Sequence, residues 1–322
     1  MAGSAAVRSG PSRRRNETPR ATDRERQGAY RRRFMSRSLP PDRTGQVIAG
    51  RYQIVSLLGE GGQSAVYRAR DLRAGDEVAL KVLKTGADKE STERMFREAR
   101  AMAQLQGTAA VRVLDQGWTD DGAMCLVTEL LDGQPLDDVL DAREKSGGRV
   151  DVGTVLRWME PVVETLHSAH EHGIVHRDLK PANIFVVSDA HGGGVRLIDF
   201  GFAKFTRLRG LTADDMIAGS PSYIAPESWQ GKRDVVDHRI DVYSLGAVMF
   251  RCLAGRPPFV AKDLVVLLRE VTGGARPSLH ALRPDLPPEI DDWVMLALAA
   301  DPDQRFQGVV ALLRAFRSAV QG

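Results

Sequence analysis

The hydrophobic pattern changes character once along the chain, near Glu129–Gly133, and that change decides which architectures are open to it. Upstream, short apolar runs alternate with turn residues. Arg51 to Leu58, Ala65 to Arg70, Glu77 to Leu83, Val111 to Gln116 and Ala123 to Thr128 read as strands. Turns fall at Gly59-Glu60-Gly61-Gly62, Arg73-Ala74-Gly75-Asp76 and Asp120-Asp121-Gly122. A single helical stretch interrupts them, from about Glu90 to Leu105, with Ser91 or Asp88 as its cap. From Pro135 onward the periodicity is mostly helical, broken by the short strands Ile184 to Val187 and Val195 to Ile198. An α+β chain of two lobes follows: residues 46–130 form a small, largely antiparallel five-stranded sheet with one helix, and 131–322 a larger, mostly helical lobe.

The first 45 residues stand apart. They hold 12 Arg, no Lys and four acids, a charge of +8, while the remaining 277 residues carry −5. With no apolar periodicity, this tail reads as disordered. Its composition does not favour a nucleic-acid-binding role. Arg31-Arg32-Arg33-Phe34-Met35 has the look of a twin-arginine export signal but lacks the apolar stretch that should follow. Met35 is an alternative start to Met1. The two cysteines, Cys125 and Cys252, lie in separate apolar runs with no ligand spacing, as expected of buried thiols in a reducing cytosol. No run approaches the length of a membrane span; the longest, around Val242 to Leu253, is broken by Ser244 and Arg251.

Three constellations carry chemistry. The turn Gly59-Glu60-Gly61-Gly62-Gln63-Ser64-Ala65-Val66 is rich in residues that let a backbone approach phosphate closely, and a strand rather than a helix follows it, against a dinucleotide-binding unit. Val78-Ala79-Leu80-Lys81 places a lysine in an apolar strand, where it needs an anionic partner. Glu98 shares a helical face with Met95 and Met102 and is the favoured partner; Glu93 lies off that stripe. Last come His176-Arg177-Asp178-Leu179-Lys180-Pro181-Ala182-Asn183 and Asp199-Phe200-Gly201.

In this order the residues resemble the signature of the protein kinases, most nearly the eukaryotic-like (Hanks-type) bacterial Ser/Thr kinases, over about residues 50–318. The resemblance implies the bilobal protein-kinase fold and transfer of the ATP γ-phosphoryl group to Ser/Thr hydroxyls of proteins, this chain included. Its cofactors would be ATP and Mg²⁺, with Mn²⁺ an alternative, and its setting the cytoplasm. Asp178 would accept or orient the substrate proton, Lys180 neutralise the moving phosphate, and Asn183 and Asp199 ligate the metal. Lys81 would hold the α- and β-phosphates and be held by Glu98. Gly59, Gly61 and Ser64 would line the phosphate loop. Val66 and Ala79 would roof the adenine, Phe185 floor it, and the Glu129 and Leu131 backbones bond its edge. Thr128 falls at the gatekeeper position. Ala225-Pro226-Glu227, its ion-pair partner Arg305, and Asp241 behind the catalytic loop are implied to be structural. A homodimer is compatible with the sequence.

The pattern bends in places. Ser64 stands where a third glycine is usual, Pro161 should kink the helix before the catalytic loop or end it, and Ser188 to Gly194 lengthens a hairpin. Arg177 implies control through the segment Phe202 to Tyr223. Thr212 leads Thr206 and Ser222 there as a phosphorylation site, and Asp214 and Asp215 would partly replace the phosphate. Ser36, after Arg33, is a candidate autophosphorylation site. The rival readings are a pseudokinase-type ATP-binding scaffold and a small-molecule phosphotransferase; Lys81, Asp178, Asn183 and Asp199 argue against the first, the glycine loop and Ala-Pro-Glu against the second.

Overall fold

The structure, a computed structural model, describes residues 43–321 except 62, 85–86, 88, 201–219, 230–236 and 262. Residues 1–42 of the arginine-rich tail, with Met35 and Ser36, the cap candidate Asp88, and Gly62, Gly201, Thr206, Thr212, Asp214 and Asp215 lie outside the described residues.

Strands β1 (Val47–Ile48), β2 (Tyr52–Glu60), β3 (Ser64–Asp71), β4 (Glu77–Leu83), β5 (Val113–Trp118) and β6 (Met124–Glu129) form one antiparallel sheet in the order β1-β2-β3-β4-β6-β5. Five strands were expected and the sixth is β1. It is two residues long and has no pattern of its own. It exists because Gln46 and Gly45 exchange backbone bonds with Ile54 at 2.8 and 2.9 Å. Helix α1 (Lys89–Gln104) lies on the sheet face opposite the Tyr52, Ile54, Tyr67, Leu80 and Val127 cluster. It packs Met95, Ala99 and Met102 against Met124 and Leu126. Strand β4 is therefore covered on both sides, which is why it reads as an almost unbroken apolar run. Ser91 is buried inside the first turn of α1 and does not cap it.

The second lobe begins with β7 (Gly133–Pro135), which pairs with β8 (Ile184–Val187), itself paired with β9 (Val195–Leu197). Gly133 is required there: at φ +148°, an added Cβ would sit 2.0 Å from the Val186 carbonyl oxygen. The helices are α2 (Leu136–Lys145), α3 (Val152–Glu171), α4 (Pro226–Trp229), α5 (Arg239–Ala254), α6 (Leu264–Gly273), α7 (Leu279–Leu282), α8 (Ile290–Ala297) and α9 (Val309–Ala319). All but the first residue of α5 are buried, so it is the axle of the lobe. Helix α8 crosses it closely enough that a Cβ on Gly246 would meet that of Ala297 at 2.9 Å.

Pro161 neither ends α3 nor marks a turn: the helix runs twenty residues through it, capped by Asp151. One missing amide bond is outweighed by burial of Met159, Val162, Val163 and Leu166 on either side, and the Thr165 hydroxyl donates to the Pro161 carbonyl at 2.8 Å. The lengthened hairpin is tied to the interlobe segment: Ser188 Oγ donates to Asp132 at 2.9 Å and His191 Nδ1 lies 2.7 Å from the same carboxylate. Among the described residues no helix is long and apolar enough to cross a membrane.

Candidate active site

The antiparallel register of β3, β4 and β6 sets the first half of the site. Val66 stands opposite Lys81, Ala79 opposite Thr128 and Val78 opposite Glu129. These strands wall a cleft of about 580 Å³, lined by Val66, Ala79, Lys81, Glu98, Thr128, Glu129, Leu131 and Asp199. Met102, Val111, Leu126 and Ile198 complete it, and sequence reasoning had not singled these out. Met102 lies in α1, Leu126 in β6, and Val111 and Ile198 in the stretches just before β5 and just after β9, so no local pattern announces them. Phe185 is fully buried in β8, opposite Pro135, and is not among the lining side chains. Gly59 and Ser64 lie at the facing ends of β2 and β3, and Gly61 between them donates its amide to the Ser64 carbonyl at 2.7 Å. Glu60, buried inside this turn, pairs with Lys84 at 2.5 Å, a tie that strand patterning does not reveal.

Lys81 is the junction of the two lobes. Its Nζ donates to Glu98 Oε1 at 2.7 Å and to Asp199 Oδ1 at 2.8 Å. Glu93 makes its own contact with Lys89, on the exposed side of α1. Burial alone would lower the Lys81 pKa, but the two carboxylates outweigh it and hold the ammonium above its ordinary range. Two anions share this one cation. Burial, reinforced by the Asp199 charge and only partly offset by Lys81, pushes the Glu98 carboxyl up to about 7.

The second half of the site hangs from α5. The Asp241 carboxylate accepts from the amides of His176 and Arg177 at 2.8 and 2.9 Å and contacts His170 Nε2 at 2.9 Å. Burial opposes its ionisation, yet these bonds keep its pKa below the usual carboxylate range. Such support offsets strain at Arg177, which holds left-handed backbone at φ 64° without being glycine; Asp199 does the same at φ 62°. The His176 ring packs on Phe200 with centroids 4.6 Å apart, and its Nδ1 accepts from the Asp178 amide at 3.3 Å. Phe200 belongs to the same apolar cluster as Met95 and Met102 of α1. The loop bearing Asp178 and the helix bearing Glu98 are thereby packed through one another.

Asn183 ends a 3₁₀ turn, Pro181–Asn183, and donates Nδ2 to the Asp178 carbonyl at 2.7 Å and to Asp178 Oδ2 at 3.2 Å. Lys180 Nζ lies 3.4 Å from that same oxygen. An amide that donates through nitrogen offers a cation its oxygen, and with the Asp199 carboxylate this makes an all-oxygen donor pair. That suits Mg²⁺, which takes one or two protein oxygens and completes its shell with phosphate and water.

Away from the cleft, Arg305 and Glu227 are joined by two bonds of 2.7 and 2.6 Å, and Arg305 donates further to the carbonyls of Ala299, Ala300 and Arg239. Ser222 is buried.

This geometry has known counterparts. The protein kinase domain model matches residues 52–311. The DNA damage-responsive serine/threonine-protein kinase RqkA of Deinococcus radiodurans is 37% identical over 271 residues, 83% of this chain and 39% of its own length. The serine/threonine-protein kinase PknL of Mycobacterium tuberculosis is 34% identical over 268 residues, 83% of this chain and 65% of its own. The chain thus spans less than two thirds of either relative. The crystal structure of the Mycobacterium tuberculosis PknI kinase domain superposes with a TM-score of 0.67 at 29% identity, covering 88% of this chain and all of that one. A lysine bridging two lobes, a braced catalytic loop and a match across nearly the whole folded body lead to one conclusion: the chain belongs to the protein kinase family, among the bacterial Hanks-type Ser/Thr kinases.

Proposed function

We propose that the chain is an ATP-dependent protein kinase that phosphorylates Ser and Thr hydroxyls of proteins, its own included. The observation that carries the reading is Lys81, held at once by Glu98 of the small lobe and Asp199 of the large one. Phosphoryl transfer needs positioning and charge neutralisation more than covalent chemistry, and this junction fixes a phosphate-binding cation against a metal-binding carboxylate. The adenine fits between Val66 and Ala79 on one side and Ile198 and Leu131 on the other, its edge against the Glu129–Leu131 backbone.

Asp178 orients the acceptor hydroxyl and takes its proton, with Asn183 fixing the carboxylate. Lys180, beside Asp178, neutralises the charge passing between donor and acceptor. Bound Mg²⁺, held by Asn183 and Asp199, would supply further charge neutralisation on the phosphates. Buried thiols at Cys125 and Cys252 and a dependence on ATP suit the cytoplasm. The test is transfer of label from γ-labelled ATP to the chain and to an added protein. Incorporation that disappears in Asp178→Asn supports the reading; nucleotide binding without incorporation by the wild-type chain would favour a scaffold.

A further inference from the structure

The glycine-rich turn is tied from behind to the two elements that carry the Lys81–Glu98 pair. Gln63 lies between Gly61 and Ser64 in sequence, near the tip of the turn. Its carbonyl accepts from the amide of Lys84, one residue beyond β4, at 2.8 Å. Its side-chain Oε1 accepts from Arg94 Nη1 of α1 at 3.1 Å, across 31 residues of sequence. Glu60, on the other arm of the turn, is buried and pairs with Lys84 Nζ at 2.5 Å. Both arms are thus fastened to the end of β4, and Gln63 reaches α1 as well.

Arg94 and Glu98 are four residues apart on α1, which sets them one above the other on the same face. Glu98 holds Lys81, while Arg94 holds the turn. One helix therefore places both the Lys81 ammonium and the backbone of the turn. Glycine loses more freedom on ordering than any other residue, so a turn with Gly59, Gly61 and Gly62 is costly to fix on a ligand. A tether that orders it beforehand lowers that cost. Gln63 carries the one long side chain between Gly61 and Ala65, and its donor is a charged guanidinium, which makes a stronger bond than a neutral group.

We propose that Arg94 is a positioning residue for the phosphates of ATP: through Gln63 it holds the glycine-rich turn to α1, in step with the Lys81–Glu98 pair. Arg94 does not line the cleft. Its loss weakens binding of the phosphates and spares binding of the nucleoside. The proposal rests on the kinase reading above.

The experiment is equilibrium binding of MgATP and of adenosine to the full chain, measured by calorimetry. Arg94 and Gln63 are both partly exposed, so neither substitution opens a cavity in the core. Arg94→Met removes the donor. Gln63→Leu removes the acceptor at nearly constant size and changes no charge, so its effect cannot be a long-range attraction of Arg94 for phosphate. Each is expected to weaken ATP roughly three- to tenfold and to leave adenosine within about twofold. The double variant is expected to bind ATP no more weakly than the weaker single, because both remove one contact. An unchanged ATP affinity in either single variant, equal weakening of ATP and adenosine, or losses that add in the double would overturn the proposal in favour of an arginine that merely steadies α1. A wild-type chain with these selective losses that transfers no phosphate refutes the kinase reading alone; one that binds no ATP refutes both.

Discussion

Two cations, the partly buried Lys81 and the fully buried Arg305, are held in opposite ways. Arg305 meets one carboxylate, Glu227, through two short bonds, and its remaining donors go to backbone carbonyls. Its side chain is 0% exposed. Lys81 meets two carboxylates that belong to different lobes, both of them lining the cleft, and the charges do not balance. The saturated pair has nothing left to offer a ligand. The trio carries one carboxylate more than its single cation balances, and on the reading proposed above a metal ion would offset that surplus. On that reading, surplus charge separates a group that acts from a group that merely holds, although both look like salt bridges.

That contrast can be broken at several points. The largest effect is expected from Asp178→Asn, which should cost about 10²–10⁴-fold in turnover with an unchanged denaturation midpoint; a comparable loss in midpoint would assign Asp178 to the structural class. Next, Arg305→Met leaves Glu227 buried without its partner and should cost about 3–5 kcal/mol in urea unfolding. Lys81→Met should cost far less stability, because Glu98 can take up a proton, while abolishing phosphate transfer. Equal destabilisation by the two substitutions would erase the distinction between the two cations.

The third test is pH. The native state favours protonated Glu98, whose pKa is raised to about 7, so its stabilising contribution is complete below the unfolded value of about 4.3 and is lost as pH rises through about 7. Over the same interval the Lys81–Glu98 ion pair forms, so kcat/KM for ATP should climb as stability falls. Glu98→Gln should flatten both trends. The smallest effect concerns the cleft wall. Thr128 is short, and Thr128→Met should abolish inhibition by ATP-site compounds with a bulky group behind the adenine while changing the ATP KM by only about twofold.

The local chemistry was legible in the sequence and the long-range fastening was not. Lys81 and Glu98 were readable as partners because each is a charged residue in an apolar setting that would be costly alone, whereas Asp178, Asn183 and Asp199 stood out only through the resemblance to the kinase signature. The strand ends came within a residue or two because turn residues bound them. Strand β1 was not legible, since its two residues become a strand only by meeting Ile54. Pro161 does not mark a turn boundary because tertiary burial along α3 outvotes a local preference. Ser244 and Arg251 drew attention only as interruptions of an apolar run. Their partners outside the helix lie 21 residues or more away in sequence, where no periodicity can point.

Along α5, Asp241 holds the His176 and Arg177 amides, Ser244 the Tyr223 carbonyl and Arg251 the Tyr223 hydroxyl. A helix advances about 1.5 Å and turns about 100° per residue. The distance from Asp241 to Ser244 is therefore about 4.5 Å, and to Arg251 about 15 Å, whatever side chains fill the positions between. Substitutions between them leave these lengths alone. A single inserted or deleted residue would swing Arg251 about a quarter-turn away from Tyr223 while Asp241 kept its hold on the catalytic loop. Helix α5 acts as a ruler: it tolerates rewriting of its marks between the fixed points but no alteration of its length.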